Sequence, residues 1–142
     1  MKVVDANLLL YAVNEDSPHH KKARAWLEGV LSKEEAVGFD WTVLLAFLRL
    51  STRSAVFPKP LGLEEAFEVM ESWLEQPCAE IVDPVERHLE VLTKLLGPLG
   101  TGGNLTSDAH LAAVAMEHGA ELCSCDSDFA RFKGLRWVNP LS

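Results

Sequence analysis

Glu121–Phe132 reads E-L-C-S-C-D-S-D-F-A-R-F. A short run of small and apolar side chains stops abruptly at two aspartates set two residues apart, Asp126 and Asp128. A run of this length bounded by polar residues suits a strand buried in a sheet. Just upstream, Ser107–His118 carries Leu111, Ala112, Val114 and Ala115 as a packing face, with Gly119 as its stop, and predicts a helix. A short apolar run that ends in acid also occurs at the start of the chain.

Near the start, Lys2–Val4 is a short apolar run that also ends in an acid, Asp5, and a helical pattern of Leu8, Leu9, Ala12 and Val13 follows. Ser17-Pro18 predicts the cap and first-turn proline of a second helix, with Ala23, Trp26, Leu27, Val30 and Leu31 on one face. Ala36–Phe39 reads as a second strand, and Asp40 as the cap of a third helix built on Val43, Leu44, Phe47, Leu48 and Leu50. The proline-rich segment 56–62 breaks the pattern and predicts a loop. A fourth helix carries Ala66, Phe67, Met70, Trp73 and Leu74 and is stopped by Gln76-Pro77. Ala79–Val82 predicts a third strand, Asp83-Pro84 the start of a helix running to about Leu96, and Arg136–Val138 a last short strand. The glycine-rich segment 97–103 lacks the G-x-x-x-x-G-K spacing of a phosphate loop. Strands alternating with helices imply an α/β fold: a three-layer sandwich with a central, mostly parallel sheet of four or five strands flanked by helices. A chain of 142 residues without repeat or linker is expected to form one domain, 1–142.

Hydrophobic residues make up 48% of the chain and charged residues 24%, which fits a globular protein and excludes a disordered one. No apolar stretch approaches the ~20 residues of a membrane helix. The opening M-K-V-V-D-A-N is interrupted too early by Asp5 and Asn7 to read as a signal peptide, so a cytoplasmic protein without membrane partners is expected. The net charge of −8 argues against a broad basic surface for nucleic acid, while leaving room for a local basic rim. Cys78, Cys123 and Cys125 offer neither a disulfide framework nor a zinc pair and read as small buried residues.

In open parallel sheets, ligands bind beyond the carboxyl ends of the strands. Asp5, Asp126 and Asp128 all fall at such ends, and Asp108 lies in the first turn of a helix, where the dipole favours an anion. Taken singly, each is explained by helix capping. If three of them converge to about 5 Å, each pair repels by roughly 3 kcal/mol at an effective dielectric of about 20, and the cluster by about 10 kcal/mol. That rivals the stability of a domain, so a cluster persists only if protons or a cation compensate it. Carboxylates without a nearby histidine or cysteine suit a hard cation such as Mg²⁺ or Mn²⁺.

V-V-D-A-N around Asp5, T-S-D-A-H-L-A-A-V-A around Asp108 and S-C-D-S-D-F around Asp126 resemble the PIN-domain ribonucleases, and more closely the VapC-like toxins of toxin–antitoxin modules. The runs W-T-V-L-L-A-F-L-R-L-S-T, F-E-V-M-E-S-W-L-E-Q-P and F-A-R-F-K-G-L-R-W-V-N-P-L resemble one branch of those toxins, so the likeness spans nearly the whole chain. The resemblance implies a metal-dependent endoribonuclease that holds Mg²⁺ or Mn²⁺ with Asp5, Asp108 and Asp126, with Asp128 close by as a further catalytic acid. Ser124 then helps to place a water, and Arg49, Arg53 and Lys59 are candidate phosphate contacts. It also implies RNA as substrate, a small antitoxin as partner and a homodimer. One departure stands out. Many PIN domains carry a glutamate three residues before the arginine of the third helix, where this chain has Ala46. Asp40 is a candidate substitute, with helix capping as its alternative role. Two further readings follow: a weakened domain that binds antitoxin or RNA without cutting it, and an aspartate-dependent phosphatase, since D-S-D-F resembles the D-x-D of haloacid-dehalogenase enzymes.

The remaining polar residues have plainer expectations. His19 and His20 point about 100° apart on a helix and read as a solvated face. His110 is expected to pack or to face solvent, and His118 to sit at a helix end. Trp26 and Trp73 belong to apolar stripes.

Overall fold

The computed structural model describes residues 1–142. Five strands, β1 (Lys2–Val4), β2 (Val37–Phe39), β3 (Ala79–Ile81), β4 (Glu121–Cys123) and β5 (Trp137–Val138), form one sheet in the order β3-β2-β1-β4-β5. Every pairing is parallel, with Val3 opposite both Gly38 and Leu122. The helices are α1 (Ala6–Val13), α2 (His20–Leu31), α3 (Trp41–Ser51), α4 (Leu63–Leu74), α5 (His88–Leu96) and α6 (Thr106–Glu117). The sheet is thus wholly parallel and has five strands, the upper end of the expected number.

The central strands are short and buried: Val3, Val4, Val37, Phe39, Leu122 and Cys123 are all essentially inaccessible. Helices α1, α3 and α6 add Leu8, Leu9, Leu44, Phe47, Leu111 and Val114 to the same core. Trp73 of α4 packs edge-on to Phe47 and stacks near Phe39, so this tryptophan is a core residue. Side chains crowd the sheet face at Gly38. A Cβ there would lie 2.9 Å from Val82 Cγ1 and 3.2 Å from Val3 Cγ2. After α6, Gly119 takes a left-handed conformation (φ +61°) and releases the chain into β4. No helix is long and apolar enough to cross a membrane.

Two helix starts differ from expectation. Ser17-Pro18 precedes α2 in a turn instead of capping it: Ser17 Oγ accepts from His19 N–H, Ser17 N–H donates to the Asn14 carbonyl, and the helix begins at His20. Asp83-Pro84 does not open α5 either. Val85 N–H donates to Glu117 Oε1 at 3.1 Å, which tethers the segment to α6 and delays the helix to His88. His20 is not merely solvated, since its Nδ1 lies 3.0 Å from the Tyr11 carbonyl oxygen.

The order β3-β2-β1-β4-β5 reverses direction between β1 and β4. In a parallel sheet this switch point leaves a crevice beyond the carboxyl ends of the two strands, because the connections leave toward opposite sides. Asp5 follows β1, and Ser124 to Asp128 follow β4.

Candidate active site

Asp5 caps α1: its Oδ1 accepts from Ala6 N–H at 2.7 Å. Its other oxygen accepts from the Ser124 hydroxyl at 2.6 Å. Ser124 is fully buried and also accepts from Asn7 Nδ2 at 3.2 Å and from Asp126 N–H at 3.0 Å. Asn7 Oδ1 returns a link by accepting from Cys125 N–H, and the Trp137 indole donates to the Ser124 carbonyl. The loop after β4 is therefore laced to the first turn of α1. Asn7 was not singled out from sequence. Its signal was its place two residues after the strand-end acid, where a side chain in the first helical turn faces the neighbouring loop.

Asp126 Oδ1 accepts from Asp128 N–H at 2.9 Å and starts a short 3-10 helix, Ser127–Arg131. Asp108 stands in the first turn of α6. One oxygen from each of Asp108, Asp126 and Asp128 lies within 4.8 Å of the others. Asp5 is outside this tightest set, turned toward Ser124 and its own helix, yet close enough to act on it electrostatically. Burial, then the charges of Asp126, Asp5 and Asp128, push the Asp108 carboxyl up to about 6. Asp5 is also raised, chiefly by burial, with the Ser124 and Ala6 hydrogen bonds pulling the other way and Asp126 adding repulsion. Asp128 is half-buried like the other two and pairs loosely with Arg131 at 3.6 Å.

These groups suit a hard divalent cation. The facing donors are all carboxylate oxygens, and the Asp108 carboxyl has no basic partner to relieve it. A cation placed among them removes the repulsion that raises that carboxyl.

Asp40 caps α3, accepting from the amide and hydroxyl of Thr42. It is only 3% exposed and also accepts from His110 Nε2 at 3.1 Å. His110 is thus neither simple packing nor free surface, because α6 lies alongside the corner between β2 and α3. Ala46 is half-buried and lines a shallow depression with Thr42, Leu45 and Arg49. Arg49, Arg53 and Lys59 are exposed and form no ion pair. Arg49 stands about 12 Å along α3 from its first residue.

The PIN-domain family model matches residues 2–135. The chain belongs to the PIN-domain family. Its relatives include Ribonuclease VapC37 of Mycobacterium tuberculosis, 53% identical over 140 residues, covering 99% of this chain and 97% of that protein. Ribonuclease VapC33 of the same species is 40% identical and covers 99% of both chains. Among solved structures, VapBC2 from Rickettsia felis bound to a promoter DNA fragment matches with a TM-score of 0.71 at 20% identity, over 97% of both chains. Mycobacterium tuberculosis VapC20, described as a toxin that cleaves the sarcin-ricin loop, matches with a TM-score of 0.66 at 18% identity, covering 96% of this chain and 99% of that one. At such identities the structural likeness establishes the PIN fold alone. Membership in this family removes the phosphatase reading, in which the D-x-D motif ends the first strand; here the D-S-D of a PIN domain follows β4.

Proposed function

We propose that this PIN domain is a metal-dependent endoribonuclease, the toxin of a toxin–antitoxin module, acting as a single cytoplasmic domain over residues 1–142. The observation that carries the reading is the convergence of Asp108, Asp126 and Asp128 within 4.8 Å at the switch point of a sheet whose chain is 53% identical to a ribonuclease.

Asp108 and Asp126 would hold Mg²⁺ or Mn²⁺, with Asp5 completing the set from behind. Such an ion, when bound, supplies a more acidic water and a polarised phosphate. The chain's own groups do the rest. Ser124 and Asn7 lock the loop after β4 against α1, so Asp5 and Asp126 keep one relative position as substrate arrives. Asp126 or Asp128 accepts a hydrogen bond from the attacking water and takes its proton. Arg49, Arg53 and Lys59 contact flanking phosphates, which lets an acidic protein hold RNA through a few local charges. Single-stranded or looped RNA fits, since its bases and backbone reach a crevice that a duplex does not enter.

The surface supports partners. Trp41 and Leu45 on α3 are 48% and 56% exposed, and Leu63 and Phe67 on α4 are 57% and 44% exposed. Apolar side chains this open suit burial against a second copy or an antitoxin. An antitoxin covering the acidic crevice would block substrate entry.

The test is cleavage of a structured RNA by purified, antitoxin-free protein with Mg²⁺, with Mn²⁺ and with EDTA. Cleavage is expected to stop with chelator and in Asp5→Asn and Asp108→Asn; cleavage indifferent to both would remove the proposal. Ala46 favours one other reading, binding without cutting, and growth arrest that persists in Asp108→Asn would select it.

A further inference from the structure

Four side chains outside the acidic cluster form a continuous hydrogen-bonded line. His110 Nε2 lies 3.1 Å from Asp40 Oδ2, His110 Nδ1 lies 2.9 Å from His88 Nε2, and His88 Nδ1 lies 2.6 Å from Glu117 Oε2. The two end carboxylates are buried, with side chains 5% and 2% exposed, and the imidazoles between them are 23% and 16% exposed.

Glu117 Oε1 also accepts from Val85 N–H, and Asp40 also accepts from Thr42, so both end carboxylates are held from a second side.

The line also has a mechanical consequence. His110 and Glu117 are seven residues apart on α6, two turns along one face. His88, the first residue of α5, bridges both. Asp40 extends the link to the corner between β2 and α3. Helix α6 is therefore pinned against rotation about its axis, and Asp108 sits two residues before one of the pins.

We propose that Asp40, His110, His88 and Glu117 form one strap, and that His88 and His110 are positioning residues which fix the rotation of α6 and so the direction of the Asp108 carboxylate. The bearing on Asp108 rests on the metal-centre reading above.

The experiment titrates Mn²⁺ itself into the full chain. His110→Ala is expected to bind it about tenfold more weakly, the usual cost of losing an outer support. His110→Gln, which keeps a donor toward Asp40, should recover most of that loss. Equal Mn²⁺ affinity in wild type and His110→Ala overturns the positioning role. A wild type that binds no Mn²⁺ overturns the functional reading and with it this proposal, whereas a wild type that binds Mn²⁺ no better than His110→Ala overturns the positioning role alone.

Discussion

The Ser124 hydroxyl donates to Asp5 Oδ2 at 2.6 Å across 119 residues of chain. This one contact joins the ends of β1 and β4, the two strands on either side of the switch point. It also divides the work of a carboxylate. Asp5 Oδ1 satisfies the first amide of α1, and Oδ2 takes the hydroxyl that orders the loop bearing Asp126 and Asp128. Capping and site-building are thus carried out by the same residue, on different oxygens.

Ser124→Ala should therefore destabilise the fold out of proportion to the size of the change. The hydroxyl is fully buried, donates once and accepts twice, so its loss strands the Asn7 amide and the Asp126 N–H. Leaving buried partners unpaired costs about 1–3 kcal/mol each, and relaxation brings the expected total to about 2–4 kcal/mol. Urea denaturation near neutral pH should show a lower midpoint at unchanged m-value. An unchanged midpoint would mean that the loop is held by something else.

The Asp108 carboxyl sets a pH dependence with a defined sign. Its folded value is raised from 3.8 to about 6. Between those values the folded chain keeps a proton that the unfolded chain has released, so metal-free stability falls as pH rises through that window. Below it both states are protonated; above it both are ionised and the loss is complete. Urea midpoints taken from about pH 4 to about pH 7 should decline for the wild type. Asp108→Asn should decline less over the same range. Parallel curves for the two proteins would show that Asp108 is not the strained group.

Much of this was legible in the sequence, and the rest was hidden for a physical reason. Acids at the ends of β1 and β4 and glycine after α6 are local signals, because strand ends, caps and left-handed turns are decided by neighbouring residues. The capping and cluster readings of Asp5 and Asp126 looked like alternatives only because a carboxylate was treated as one acceptor instead of two. What no local rule shows is contact between distant segments. Helix α5 starts late because Glu117, from the end of α6, captures Val85 N–H. His110 looked idle because its partners, Asp40 and His88, lie 70 and 22 residues away. Asn7 is similar, with its partner loop 117 and 118 residues distant.

Gly38→Ala tests how tightly the sheet is closed over the site. The added methyl would stand 2.9 Å from Val82 Cγ1 and 3.3 Å from Met1 Sδ. The methionine can yield, but Val82 is buried and branched beside β3. Overpacking of this kind costs about 1–3 kcal/mol. The expected readout is a lower thermal midpoint with secondary structure retained by circular dichroism; no change in midpoint would show that β2 and β3 separate easily.

Divalent ions should stabilise the folded chain, because they bind carboxylates that are close together only in the native state. With Mn²⁺ at about 100 times its dissociation constant the gain is about 2.7 kcal/mol, seen as a higher thermal midpoint that rises with the logarithm of ion concentration. Asp108→Asn and Asp126→Asn should each lose most of that rise, while already melting at or above the wild type's metal-free midpoint near neutral pH, since each substitution removes one of the mutually repelling charges. Asp128 pairs with Arg131, which offsets part of its charge, so Asp128→Asn should retain more of the ion's effect than the other two. If all three variants respond to Mn²⁺ as the wild type does, the ion is binding elsewhere, and the acidic crevice is not the metal centre.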